Sequence, residues 1–298
     1  MLEIKKYAAI DIGSNAIRLL IANIILEKDK ETLYRKSSLV RVPIRLGADT
    51  FVSGEISEDN TNRMIDALEA FKLIMKVNKV EKFKACATSA MREANNGKET
   101  AKKIFDKTGI EIEIIGGKKE AAIISSTDLN ELILGDASYL YVDVGGGSTE
   151  FTVFSKGRII NSKSFKMGTV RLLNNTKEEN KLIYKDVQKW IEVNTAGLKK
   201  LSLIGSGGNI NKIFKMSGRT LGKPISYIYL NAQYQYLKSM SYHDRISVLS
   251  LNPDRADVII PATKIYLSAM KWSGARKIYV PKIGLADGII KSLFQNNL

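Results

Sequence analysis

The sequence predicts an α/β protein of two related domains, each a mixed sheet flanked by helices. Three observations carry that expectation. Strand-like apolar runs alternate with amphipathic helical runs, and each half opens on three strands in succession. A turn of acid and glycine then recurs after the first strand of each half, Asp11 in "AAIDIGSN" and Asp143 in "LYVDVGGGS". The 298 residues are 44% hydrophobic and 26% charged, which is enough to bury a core in each domain.

From Tyr7, "YAAIDIGSNAIRLLIANIIL" reads as two β-rich runs divided by a Gly-Ser-Asn turn, and "TLYRKSSLVRVPIRLG" supplies a third strand. Ser57 caps a helix in which Met64, Leu68, Phe71 and Met75 recur at three- and four-residue spacing. "KFKACAT" is a strand, "NGKETAKKIFDKTG" a helix closed by Gly109, and "IEIEIIGG" another strand. "AAIISSTDLNELIL" then reads as a helix leading to Gly135.

The second half repeats the order. "SYLYVDVGGGSTEFTVFSKGRIINSKSFKMG" gives three strands, with "SKGR" as the turn between the last two. "YKDVQKWIEVNTAGLKK" is a helix, "LSLIGSG" a strand, and "GNINKIFKMSG" a helix ending at Gly218. Two or three further helices follow, one of them "DRADVIIPATKIYLSAMKWSG", then the strand "ARKIYVP" and a last helix from "GLADGII". The expected domains are residues 1–124 and 125–298, joined near 124–136, with their duplicated loops facing a cleft.

Composition narrows the chemistry. No apolar run reaches the roughly 20 residues of a membrane helix, and Cys86 is the only cysteine, so a soluble, cytoplasmic protein without a disulfide is expected. His243 stands alone, so catalysis falls to carboxylates, hydroxyls, backbone amides and cations. A formal charge of +15 biases the surface towards polyanions. Nucleic-acid binding would rest on that charge alone, without interleaved aromatics, so no specific nucleic-acid partner is expected.

A glycine-rich loop holds phosphate by letting the backbone come close and turn its N–H groups towards the oxygens. Neither "DIGSNAIR" nor "DVGGGSTE" has the GxxxxGK(S/T) spacing of a P-loop, and each runs into a β-like segment where the dinucleotide fingerprint requires a helix. What remains is a hairpin loop after an acid, either a tight turn or a phosphate site. Its candidate phosphate-holding residues are Gly13, Ser14 and Asn15 in the first loop, and Gly145, Gly146, Gly147 and Ser148 in the second. Asp143 and Glu150 bracket the second loop as a candidate magnesium pair, with Asp11 the matching acid of the first. The alternative for Glu150 is an outward position paired with a lysine.

Three further stretches carry candidates. In "ATSAMREA", Ser89 and Arg92 lie where a strand gives way to a helix, which suits an anion site or a plain surface charge. In "IGSGGNINKIF", Gly207 and Gly208 precede a helix that Ser206 or Asn209 would also cap. Glu120, in "EIIGGKKEAAI", either complements a helix dipole or takes a proton from water attacking a phosphate.

Taken together, these stretches resemble the exopolyphosphatase and guanosine pentaphosphate phosphohydrolase family, a branch of the actin, Hsp70 and sugar-kinase superfamily. The matching segments are "AIDIGSNAIRLLI", "RLG" before Ala48, "ATSAMREA", "IEIIGGKKEA", "VDVGGGSTEF", "MGTVRL", "GSGGNINKI" and "RADVIIPA", in the family's order. The resemblance implies duplicated ribonuclease-H-like (actin-like ATPase) domains with the active site between them. It implies magnesium, with potassium as a second candidate ion, and Glu120 as the catalytic base. Asp143 and Glu150 would organise metal and water, while both loops and Arg92 hold phosphate oxygens.

The substrate implied is inorganic polyphosphate, with the 5′-phosphate of guanosine pentaphosphate as the same-class alternative and an ATP-binding kinase or switch as the different-class one. A homodimer is a candidate assembly. Three departures stand out. Lys119 replaces the first acid of the family's Glu-Glu pair, Asn209 stands where threonine is common, and the 298 residues are expected to hold the two domains without the C-terminal helical domains of longer members.

Overall fold

The computed structural model describes residues 2–125, 127, 133 and 137–295. The chain forms two compact units, Met1–Thr127 together with Leu285–Leu298, and Asp128–Gly284.

In the first unit, β1 (Leu2–Ile12), β2 (Ile17–Glu27) and β3 (Leu33–Val42) form an antiparallel run. After α1 (Leu46–Ser53) and α2 (Glu58–Val77), β4 (Lys82–Ala87) adds parallel to β1. Next come α3 (Ser89–Glu93), α4 (Gly97–Thr108), β5 (Ile112–Ile114) parallel to β4, and α5 (Gly117–Ser125). The sheet order is β3-β2-β1-β4-β5. The expected cap is present, with Ser57 Oγ accepting from the Asn60 N–H at 3.2 Å, and Met64, Leu68, Phe71 and Met75 are the buried stripe of α2. Gly109 closes α4 in the left-handed conformation, φ +71°. The helix expected over "AAIISSTDLNELIL" starts earlier, because Gly117–Glu120 form its first turn; its later part lies outside the described residues.

The second unit repeats the plan with β6 (Ser138–Val144), β7 (Thr149–Ser155) and β8 (Arg158–Phe165). The short α6 (Thr169–Asn174) and long α7 (Lys177–Thr195) lead to β9 (Leu201–Ser206), parallel to β6. Then α8 (Gly208–Met216), β10 (Ile225–Ser226), α9 (Tyr227–Ser239), α10 (Tyr242–Ser247), α11 (Pro253–Ala256), α12 (Ile259–Ser273) and β11 (Lys277–Tyr279) complete it. Read as β8-β7-β6-β9-β11, its sheet has the order and strand senses of the first, with β10 added at the edge. Helix α7 starts ahead of the expected Tyr184 because Thr176 and Glu179 form a reciprocal capping box. "DRADVIIPATKIYLSAMKWSG" is two helices, α11 and α12, and Pro261 falls in the first turn of the second, where no N–H is needed.

The sequence-based boundary leaves the last helix, α13 (Leu285–Phe294), with the second half, whereas its contacts put it in the first unit against α5, β1 and β4. The cause is burial: Leu285, Ile289 and Ile290 form an apolar face that must be covered. Among the described residues no helix is long and apolar enough to cross a membrane.

Cys86 lies in the core of the first unit, and burial, with the Glu113 and Asp11 charges adding to it and nearby lysines opposing, pushes its thiol up to about 12. The thiolate is the reactive form. Native protein is therefore expected to give essentially no colour with a thiol-exchange reagent, and one equivalent after denaturation.

Candidate functional site

The β6–β7 loop is where the glycines earn their place. Asp143 faces Glu150 and Val144 faces Thr149 across the ladder, and the Gly145 N–H donates to the Ser148 carbonyl at 3.0 Å to close the turn. Three successive carbonyls then point at α6. Gly145 O accepts from Thr169 N–H at 3.0 Å, Gly146 O from Val170 and Arg171 N–H at 2.9 and 3.2 Å, and Gly147 O from Arg171 Nε at 2.9 Å. Every described peptide is trans, so the N–H of each unit points opposite its C=O. The N–H groups of Gly146, Gly147 and Ser148 therefore turn together to the side away from α6. Consecutive amides aimed one way make an anion-binding concavity.

Gly168 makes this possible. A Cβ there would lie 2.2 Å from Gly146 O and 2.3 Å from the carbonyl carbons of Gly146 and Gly147, so only glycine lets α6 approach this closely. Gly168 and Arg171 lie in "MGTVRL", which the sequence reading matched without assigning either a role.

The first unit has the same device. Gly13 N–H donates to Ala16 O at 3.1 Å, Ser14 O accepts from Gly47 N–H at 2.8 Å, and Asn15 O accepts from Arg45 N–H at 3.1 Å. The N–H groups of Asn15 and Ala16 consequently face away from that segment. Ser14 Oγ meets Ser89 Oγ at 2.9 Å, both buried, so this loop and "ATSAMREA" do come together. Arg92 sends its Nη1 to the Ile115 carbonyl at 2.9 Å and thus ties α3 to the approach to α5.

The acids differ between the units. Directly opposite residues of an antiparallel pair share a face with Cβ atoms about 4.5–5.5 Å apart. Asp143 and Glu150 are such a pair, whereas the partner of Asp11 is Arg18, whose Nη1 lies 3.4 Å from Asp11 Oδ2. Burial raises the Asp11 carboxyl and the Arg18 charge opposes it, so the first-unit acid is half of an ion pair. Glu150 is buried rather than turned outward, and its Oε1 accepts from Ser148 Oγ at 2.7 Å and Ser164 Oγ at 2.8 Å. Asp143 is half-buried, with the Tyr141 hydroxyl 3.4 Å from Oδ2.

Gly207 runs beside this pair. Its φ is +121°, and an added Cβ would sit 2.9 Å from Val144 O and 3.7 Å from Asp143 Oδ1, so the β9–α8 turn is shaped around the aspartate. Gly208 is held by Arg255, whose Nη1 donates to its carbonyl at 3.4 Å. Neither Ser206 nor Asn209 caps α8; Ser206 Oγ instead donates to Ile283 O at 2.8 Å. Among the described residues, no three His, Cys, Asp or Glu side chains cluster as metal ligands. A hard cation that keeps several waters needs only one or two carboxylates, and the all-oxygen pair Asp143 and Glu150 fits that demand.

Glu120 lies buried in the first turn of α5, where the helix dipole favours its charge. The neighbouring lysine is engaged elsewhere: Lys119 Nζ bonds Glu113, which also pairs with Lys84 at 2.8 Å. Burial alone would raise Glu113, but the two lysine hydrogen bonds and charges outweigh it and hold the carboxyl below its ordinary value. Lys119→Ala is therefore expected to leave the pH profile of the reaction in place and change stability by less than about 1 kcal/mol, as partly exposed pairs do. Helix α13 fixes α5 from behind, since a Cβ on Gly288 would come within 2.2 Å of Ile123 O. Gly288→Ala is expected to cost about 1–3 kcal/mol, read as a lowered midpoint in thermal unfolding.

Comparison with known proteins gives a family match and a shared fold. Residues 38–297 match the Ppx/GppA phosphatase family profile. A bifunctional 3-dehydroquinate synthase/phosphatase from Fusobacterium nucleatum is 33% identical over 306 residues, which cover 92% of this chain and 44% of that protein. The chain thus spans less than half the length of that relative. Exopolyphosphatase 2 of Mycobacterium tuberculosis is 25% identical over 328 residues, covering 98% and 99% of the two chains. The crystal structure of an exopolyphosphatase from Cytophaga hutchinsonii superposes with a TM-score of 0.84 at 23% identity over 98% of both chains, which speaks for a shared actin-like fold.

Proposed function

Because the chain belongs to the Ppx/GppA phosphatase family, we propose that it releases terminal orthophosphate from inorganic polyphosphate, with Glu120 as the base that activates water. The observation that carries this reading is the run of three N–H groups, Gly146 to Ser148, turned to one side of a loop beside Asp143 and Glu150. Amides fixed by other hydrogen bonds before substrate arrives need no reorganisation, which is what phosphoryl transfer demands of a protein.

In the proposed step, the oxygen of water bonds to the terminal phosphorus and its proton passes to the Glu120 carboxylate. The bond to the bridging oxygen breaks, and that oxygen leaves on the shortened chain. The loop amides hold the non-bridging oxygens. Asp143 and Glu150 would hold magnesium, which supplies offsetting charge when bound. Glu150 is kept in place by Ser148 and Ser164. The reading requires Glu120 and the second loop to act on one phosphate.

The same chemistry would cleave the 5′-phosphate of guanosine pentaphosphate, so substrate choice is set by assay. Phosphate release is measured from short and long polyphosphate, guanosine pentaphosphate and ATP, each with and without magnesium. Magnesium-dependent release from polyphosphate is expected; turnover of ATP alone would sink the proposal.

A further inference from the structure

Four residues lie in one row across the second sheet. The register sets Ser206 on β9 beside Asp143 on β6, Asp143 opposite Glu150 on β7, and Glu150 opposite Ser164 on β8. Paired residues of neighbouring strands share a face, so a serine flanks the two acids on either side. The serines are used differently. Ser206 Oγ donates to the Ile283 carbonyl at 2.8 Å, whereas Ser164 Oγ donates to Glu150 Oε1 at 2.8 Å. The matching row of the first unit reads Cys86, Asp11, Arg18 and Arg41. Arg18 stands there in the place of Glu150 and Arg41 in that of Ser164. The hydroxyl donor thus goes with the second acid and not with the plan of the sheet.

Glu150 Oε1 also accepts from Ser148 Oγ at 2.7 Å. The last torsion of a glutamate is broad, so a single donor would leave the carboxylate to swing about its contact. Two donors, one from the glycine loop and one from the edge strand β8, fix it from two sides. A carboxylate held in advance gives up less freedom when a cation arrives. We propose that Ser164 is a positioning residue for a divalent cation at Asp143 and Glu150, its hydroxyl fixing the Glu150 carboxylate and thereby setting the affinity for the ion. The assignment rests on the magnesium reading above.

The test is manganese(II), a paramagnetic stand-in for magnesium, titrated into the full chain without substrate and followed as free ion by electron paramagnetic resonance. Wild type is expected to bind one ion per chain, and Glu150→Gln to abolish binding. Ser164→Ala, a change at an exposed position, should weaken affinity about 10- to 100-fold, the usual loss when a hydrogen bond to a ligating side chain is removed. Ser164→Thr keeps the hydroxyl on a strand that suits β-branched residues and should restore it. Ser162→Ala is the control. Ser162 lies on the same face of β8 and its Oγ meets Thr152 Oγ at 2.8 Å, so the change removes a comparable cross-strand bond that touches no acid. Its affinity should match wild type.

Unchanged affinity in Ser164→Ala would overturn the inference. So would an equal loss in Ser162→Ala, no recovery in Ser164→Thr, undiminished binding in Glu150→Gln, or no binding by wild type. In phosphate release, Ser164→Ala should raise the magnesium concentration for half-maximal rate by the same factor, and the rate lost at low magnesium should return as the ion is raised. If wild type hydrolyses no polyphosphate while the manganese affinities fall in the expected order, the substrate reading fails and Ser164 keeps its role.

Discussion

Glu120→Gln is expected to lower kcat for phosphate release by about 10²- to 10⁴-fold, the range over which a positioned general base acts. The amide keeps the size and shape of the carboxyl but cannot take the proton from water. Structure should survive the change. Glu120 lies buried in the first turn of α5, where its charge is worth up to about 2 kcal/mol against the helix dipole, so the unfolding midpoint should fall by no more than that loss allows. KM should hold, because the amides proposed to hold phosphate lie on other segments. The informative readout is the pH profile: wild type should lose activity as acid protonates the base, and the variant's residual rate should lack that limb. Wild-type turnover in the variant would remove Glu120 from the mechanism while leaving the fold and the phosphate loop standing.

Gly168→Ala is expected to cost at least about 10² in kcat/KM, the scale set by a 1 Å misplacement of reacting groups. Its methyl group would meet Gly146 O at 2.2 Å and the carbonyl carbons of Gly146 and Gly147 at 2.3 Å. Those are backbone atoms with no rotamer to escape into, so either α6 or the loop must move. Both movements stretch the bonds from Thr169, Val170 and Arg171 that turn three carbonyls one way and three amides the other. Overpacking of this kind also costs about 1–3 kcal/mol, so thermal unfolding should shift down. The two readouts separate the causes: a lowered midpoint with intact kcat/KM would mean that α6 merely fills space and that the loop binds no phosphate.

Much of the candidate site was legible before any coordinates. The pairing of Asp143 with Glu150 follows from counting, because a four-residue loop closed between Gly145 and Ser148 places the two acids opposite one another. The same count sets Asp11 against Arg18, a contrast visible in "DIGSNAIR" and "DVGGGSTE" side by side, yet the reading treated the two acids as equivalents. Lys119 shows the other limit. It stands beside Glu120 in sequence, but successive helical residues diverge by about 100°, and its ammonium finds Glu113 on β5.

The sequence by itself determined the repeated strand–turn–strand plan, the helices with their caps and apolar stripes, and the family to which the chain belongs. These are recorded in short-range spacing, because periodicities of two and of 3.6 residues are local consequences of backbone geometry. Tertiary structure alone decided that α13 covers the first unit, that Arg92 reaches a carbonyl, that Glu150 turns inward onto two serines, and which way the glycine loop faces. The loop's direction comes from hydrogen bonds made by residues 169–171, more than twenty positions along the chain. A run of glycines permits a backbone to turn its amides outward, and only the segment packed behind it makes it do so.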